Sequence, residues 1–142
     1  MGGEAMDLEA ALRLYPGAES FVFGDGPDLS ARLIDLVHDG SKRATCGALR
    51  DFAAGEAMPV VGRCDIVRDW AGQAQLVIRT VSLEVARFCD VAAEFALAEG
   101  EDATLEGWQA GHRDYFGRNG GFQAEMKLVC EVFDLVEDLA FR

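Results

Sequence analysis

Gly40-Ser41-Lys42-Arg43-Ala44-Thr45 is the stretch on which the fold turns. It closes a segment of helical periodicity and opens an apolar, strand-like one. Upstream, Leu29, Leu33, Leu36 and Val37 recur at helical spacing behind Asp28, which reads as the N-cap. Gly40 reads as the helix stop. Downstream, Ala44 to Leu49 reads as a strand leading into Arg50 to Ala54. Lys42 is one of only two lysines, the other being Lys127, while the remaining 11 of 13 basic residues are arginine. A lysine kept at this turn stands out, because burial can tune its amine and cannot tune a guanidinium.

Working outward, Asp7 to Leu14 reads as a short helix stopped at Pro16-Gly17. Phe21-Val22-Phe23 is a brief apolar run ending in the turn Gly24-Asp25-Gly26-Pro27. Met58 to Gly62 resembles a turn entering a sheet. The segments 64–70 and 74–81 read as two strands of a hairpin joined by Ala71-Gly72-Gln73, and Ser82 to Phe88 continues the sheet. Asp90 to Ala98 returns to helix. A second helix begins at Thr104, with Leu105, Trp108, His112, Tyr115 and Phe116 at three- and four-residue spacing, and Gly117 to Gly121 breaks it. Met126 to Val136 alternates as a closing strand. The order predicts an α+β domain around a mixed, barrel-like sheet. An N-terminal helix and extension over 1–20 and a single domain over 21–138 are expected.

At 142 residues the chain fits one domain with one core. No apolar run approaches the roughly 20 residues that span a bilayer. The N-terminus lacks the basic and apolar regions of a secretory signal, and Met1 to Glu4 reads as a start-site or cloning remnant with Met6 a candidate start. Cys46, Cys64, Cys89 and Cys130 form no C-x-x-C pair, and His38 and His112 are the only histidines. That spacing argues against structural zinc; reduced, buried thiols in a cytoplasmic protein are expected, with no metal and no cofactor.

The net charge of −12 disfavours broad binding to a polyanion. Its distribution is uneven. Residues 28–88 hold eight acids and eight bases, whereas 89–142 hold twelve acids against four bases. Lys42 therefore lies in the one segment able to present a positive patch.

The ordered set of motifs resembles the ASCH superfamily, in its branch of small stand-alone bacterial domains. The matching pieces are Phe23-Gly24-Asp25-Gly26-Pro27, the Gly40 to Thr45 turn, Ile78-Arg79-Thr80, Phe95-Ala96 followed by Glu99-Gly100-Glu101-Asp102, the Trp108 and His112 pair, and Val129-Cys130-Glu131 with Phe133. The resemblance implies a PUA-like β-barrel with helices packed around it and a cleft beside the lysine turn. It implies either an amidohydrolase acting on an acylated nucleoside such as N-acetylcytidine, or an RNA-binding, RNA-cleaving module without amidase activity. The partner is accordingly a small nucleoside-like ligand or RNA, with no membrane. Carried over by motif, Lys42, Thr45 and a glutamate of the acidic turn, Glu101 ahead of Glu99, are the catalytic candidates. Arg79, Trp108, His112 and Arg43 are the substrate-binding candidates. The branch commonly carries a tryptophan after the lysine motif, where this chain reads Leu49-Arg50-Asp51-Phe52.

Amide hydrolysis needs a nucleophile, a base and a stabilised oxyanion. Thr45 offers a hydroxyl. Lys42 serves as base only if neutral; a nearby glutamate would keep it charged and make it a clamp, with Glu101 the base for Thr45 or for water. Alternation along an extended segment would point Arg43 away from Lys42. Trp108, Tyr115 and Phe116 read as core or as a stacking platform, and both assignments stay open here.

Overall fold

The computed structural model describes residues 6–140. Met1 to Glu4, read above as a remnant, lie outside the described residues. The chain runs α1 (Leu8–Leu14), β1 (Ser20–Val22), α2 (Pro27–His38), β2 (Ala44–Ala48), α3 (Leu49–Ala53), β3 (Cys64–Arg68), β4 (Ala74–Arg87), α4 (Ala93–Ala98), α5 (Leu105–Arg118) and β5 (Lys127–Asp138). A short 3-10 turn at Phe88–Asp90 precedes α4.

The five strands form one mixed sheet in the order β1-β3-β4-β5-β2. β1 runs parallel to β3, and the other pairings are antiparallel. β4 and β5 are the long central strands. Their pairing slips register at Val77/Ile78 and again at Thr80/Ser82, irregularities of the kind that bend a strand and increase its twist. The α+β class and the mixed sheet agree with the sequence, but the expected barrel does not close. β1 and β2 are edges that do not pair. β1 has only three residues before Gly24, at φ +76°, turns the chain into α2. Residues from both edges instead wall the cavities described below.

Two local expectations change. Asp28 is not the N-cap of α2; Gly26 is, and Pro27 opens the helix with a φ already suited to its first turn. Asp28 lies in that turn, where its carboxylate meets the positive end of the helix dipole. The strand from Ala44 stops at Ala48, and Leu49 to Ala53 coil into a single turn.

Three apolar clusters make the core. Leu33, Ile34 and Val37 of α2 pack with Phe23, Val67, Leu76, Ile78 and Phe133 on one face of the sheet. Phe88, Trp108, Phe116 and Leu128 centre a second cluster beneath α4 and α5. Ala11 of α1 seats in a third with Ile66, Ala74, Val77 and Leu139. All four cysteines are free thiols, but only Cys130 is buried as expected; Cys46 and Cys64 are half-buried, and Cys89 is exposed in the turn before α4.

Candidate functional site

Two loops meet to build the site. After α2, Gly40 takes φ +94°, and the Lys42 amide donates to Leu36 O at 3.0 Å. The next amide, Arg43 N, donates to Ala98 O at 2.9 Å, stitching the lysine turn to the end of α4. Gly100 follows at φ +75°, and a Cβ there would stand 2.2 Å from the Ser41 carbonyl oxygen. Only glycine permits that approach, so Glu99-Gly100-Glu101 can wrap the lysine turn. Thr104 then caps α5, accepting from Gly107 N at 3.0 Å. α5 delivers Trp108 and His112 four residues apart on one face.

At the centre Lys42 is 1% exposed and Glu99 likewise 1%. Lys42 Nζ donates to Glu99 Oε1 at 3.2 Å and to Glu101 Oε2 at 2.9 Å. It also reaches Glu99 O at 3.4 Å and lies 5.5 Å from the centre of the Phe23 ring. Trp108 Nε1 donates to Glu99 Oε2 at 3.0 Å, and His112 Nε2 stands 3.5 Å from that same oxygen. The His112 ring stacks on Trp108 with centres 4.2 Å apart, its Nδ1 2.9 Å from Trp108 O.

These contacts set the charges. Burial opposes the Lys42 ammonium, yet the two carboxylates outweigh it and raise the lysine above its ordinary range. Burial likewise opposes the Glu99 anion, but Lys42 and His112 hold it well below the usual carboxylate range. Glu101 goes the other way: burial first, then the charge of Glu99, raises it despite Lys42. His112 is raised, because its bond to Glu99 and the charges of both glutamates exceed the cost of burial. The cluster therefore sets the Lys42 ammonium against a firmly ionised Glu99, with His112 shifted towards its protonated form and Glu101 towards its neutral form.

A cavity of about 190 Å³ opens above this cluster, with Lys42, Thr45, Glu101, His112, Phe23 and Tyr115 among its walls. A second cavity, of about 590 Å³, adjoins it and shares Phe23, Gly24 and Thr45. Thr45 is half-buried on β2, and its hydroxyl has no hydrogen-bond partner among the described residues.

The structure brings Lys42, Thr45, Glu99, Glu101 and His112 to one place. Within that group, Glu101 faces the cavity and Glu99 lies beneath it. Trp108 is 0% exposed and lines neither cavity, so it is core and not a stacking wall. Arg43 points away, as alternation predicted, and its guanidinium donates to Val37 O and Lys42 O at 2.8 Å each. Arg79 sits exposed on β4, 3.5 Å from Asp134, outside both cavities. Of the three aromatics left between core and stacking platform, Tyr115 edges the cavity; the Asp25–Arg118 pair at 2.7 Å beside it was not anticipated from the sequence. Spacing from Trp108 and His112 identified the helix, but no local signal shows which of its residues edge a cavity.

Among the described residues, the metal-ligand atoms that converge are those of Cys46, Glu99 and His112, within 4.8 Å of one another. The Glu99 carboxylate in that trio is already engaged, receiving Lys42 on one oxygen and Trp108 on the other. The arrangement suits proton transfer and oxyanion stabilisation. No helix among the described residues is long and apolar enough to cross a membrane.

Residues 19–137 match the ASCH domain family. The chain is similar to the crystal structure of an ASCH domain from Lactobacillus crispatus JV V101, with 29% identity, TM-score 0.77, and coverage of 92% of this chain and 86% of that one. It is also similar to the crystal structure of a protein from Enterococcus faecalis V583, with 31% identity, TM-score 0.79, and coverage of 92% and 85% respectively. No curated protein matches it.

Proposed function

The chain belongs to the ASCH domain family, and from the site it carries we propose that it is a small hydrolase cleaving the acyl amide of a nucleoside-like compound such as N-acetylcytidine. The observation that carries this reading is the fully buried Lys42 ammonium, held by Glu99 and Glu101 at the wall of a cavity that Thr45 also faces.

Lys42 is charged and therefore not the base. It is a fixed positive charge, and fixed charges aimed at a developing oxyanion lower the barrier most where water is excluded. Glu101, with its pKa raised and its side chain still 16% exposed, takes the proton from the attacking oxygen. That oxygen belongs to Thr45 or to a water beside it. As the C–O bond forms, the carbonyl oxygen becomes an oxyanion facing Lys42. The C–N bond then breaks, and Glu101 returns the proton to the leaving nitrogen. On the Thr45 route, a water activated by Glu101 next releases the acid from the acyl-threonine. Glu99 does not touch substrate in this scheme; it keeps Lys42 charged and in place.

The charge pattern favours a small ligand over RNA. Several arginines of segment 28–88 are already engaged within the fold. Arg43 caps α2, Arg50 donates to Asn119 O and Gly121 O, Arg63 pairs with Asp65, and Arg87 pairs with Asp90.

Purified protein is to be incubated with N-acetylcytidine and, separately, with mixed RNA, beside Lys42→Met and Glu101→Gln variants. Acetate release that falls at least a hundredfold in Glu101→Gln supports the reading, since a general base contributes about 10²–10⁴ in rate. A burst of cytidine equal to the enzyme, absent in Thr45→Val, marks the Thr45 route. No turnover together with salt-sensitive RNA retention would overturn the hydrolase reading in favour of an RNA-binding module.

A further inference from the structure

The larger cavity lies on the far side of Thr45 and plays no part in the scheme above. Its walls combine two chemistries. Phe21, Phe23, Phe52 and Trp70 supply aromatic surface, and Trp70 is half exposed at its rim. Glu19, Glu56, Asp65 and Glu131 supply four carboxylates against one lining arginine, Arg68. Asp65 is committed elsewhere: Arg63 holds both its oxygens, at 2.8 and 3.0 Å, and the Glu19 amide donates to it at 2.9 Å. Arg68 leans on Ser20 Oγ at 3.1 Å.

Glu131 differs. It sits directly across from Thr45 in the β2–β5 pairing and is only 5% exposed. Thr80 Oγ1 donates to its Oε2 at 2.7 Å. No described residue donates to its other oxygen, although the side chain lines the cavity. That oxygen opens on the cavity and is not a buried orphan, so a ligand donor would take the place of water there. Burial and the neighbouring charge of Asp65 raise the Glu131 pKa.

We propose that this cavity is a binding site for a flat organic cation bearing N–H donors, an amidinium or protonated arylamine, whose nitrogen meets the free oxygen of Glu131 while its ring lies among Phe52, Trp70 and Phe21. Positive charge is drawn to aromatic faces and to desolvated carboxylates, and each contact strengthens where water is displaced. A neutral ring of equal shape gains the apolar contact alone. An anion meets the excess of carboxylates and is rejected. The site stands on its own walls and does not depend on turnover at Lys42.

The test is ligand-observed NMR with benzamidine, benzamide and benzoate on the full chain at pH 7. Saturable benzamidine binding is expected, at least tenfold tighter than benzamide, with no binding of benzoate. Glu131→Gln keeps an acceptor for Thr80 and should weaken benzamidine at least tenfold. Trp70→Ala, at the exposed rim, serves if that variant does not fold, and should weaken binding severalfold. Glu101→Gln, in the neighbouring cavity, should leave benzamidine affinity unchanged while removing hydrolysis, which separates the two assignments. Equal binding of benzamide and benzamidine, or wild-type affinity in both Glu131→Gln and Trp70→Ala, overturns the proposal. So does the absence of saturable benzamidine binding.

Discussion

The Trp108 indole nitrogen donates to Glu99 Oε2 at 3.0 Å, while the other oxygen of the same carboxylate receives Lys42 at 3.2 Å. A core aromatic thus orients the anion that holds the site's buried cation. Trp108→Phe keeps most of the ring volume and deletes the donor. An acceptor left short of a partner in the interior costs about 1–3 kcal/mol. We expect a loss of about 2 kcal/mol in urea unfolding, and a fall in kcat with little change in KM.

Lys42→Met replaces the ammonium with an apolar side chain of similar length and leaves Glu99 buried without its main counter-charge. Breaking one partner of a buried pair costs about 3–5 kcal/mol. Lys42→Met/Glu99→Gln removes both charges and should cost clearly less than the two single variants added together. Urea unfolding of the four proteins measures the coupling; strict additivity would mean that the pair contributes nothing.

Gly100→Ala fails on two counts. Its φ of +75° disfavours any L side chain by about 1–2 kcal/mol, and the new methyl would stand 2.2 Å from Ser41 O. The acidic turn must then lift off the lysine turn. A Tm drop of 10 °C or more is expected with loss of turnover, whereas Gly72→Ala, which meets nothing within 4 Å, should cost only its own left-handed φ.

His112 makes stability depend on pH near neutrality. Its folded pKa is raised above the ordinary 6.5, so its protonated form is favoured by folding. That contribution is fully present below 6.5 and fades as pH rises through the raised value. The stability difference between wild type and His112→Asn should therefore shrink as pH rises from 6.5 through the raised value, read by urea unfolding. Glu99 sets the acid side with opposite sign. Its pKa is depressed from 4.5 to about 2, so its contribution is present above 4.5 and is lost as pH falls towards 2.

Arg43→Ala and Arg79→Ala separate placement from motif. Arg43 serves one carbonyl in the last turn of α2 and one in the lysine turn, so its loss should lower Tm without raising KM. Arg79 pairs at the surface, where such pairs contribute little, and its loss should change neither. A severalfold rise in KM in either variant would return that arginine to the substrate site.

Much of this protein was legible in its sequence, because the relevant rules are local. Helical spacing over Leu29 to Val37, alternation over Cys64 to Val81 and the glycine at position 40 place the elements. Motif order leads to Lys42, Thr45 and the acidic turn. Whether Lys42 is base or clamp depends on charges 57 and 59 residues away, and no local pattern reports them. Glu99 and Glu101 flank Gly100 in sequence, and only a slight preference of motif spacing ranked Glu101 first. The tertiary structure divides them: Glu99 turns inward to Trp108, and Glu101 turns to the cavity. The open gap between β1 and β2 was equally hidden, since edge pairing is a long-range contact. Propensity and spacing act through the chain's nearest neighbours and so fix the elements. Burial, counter-charge and cavity shape arise only where distant segments meet, and those are what set the chemistry of the site.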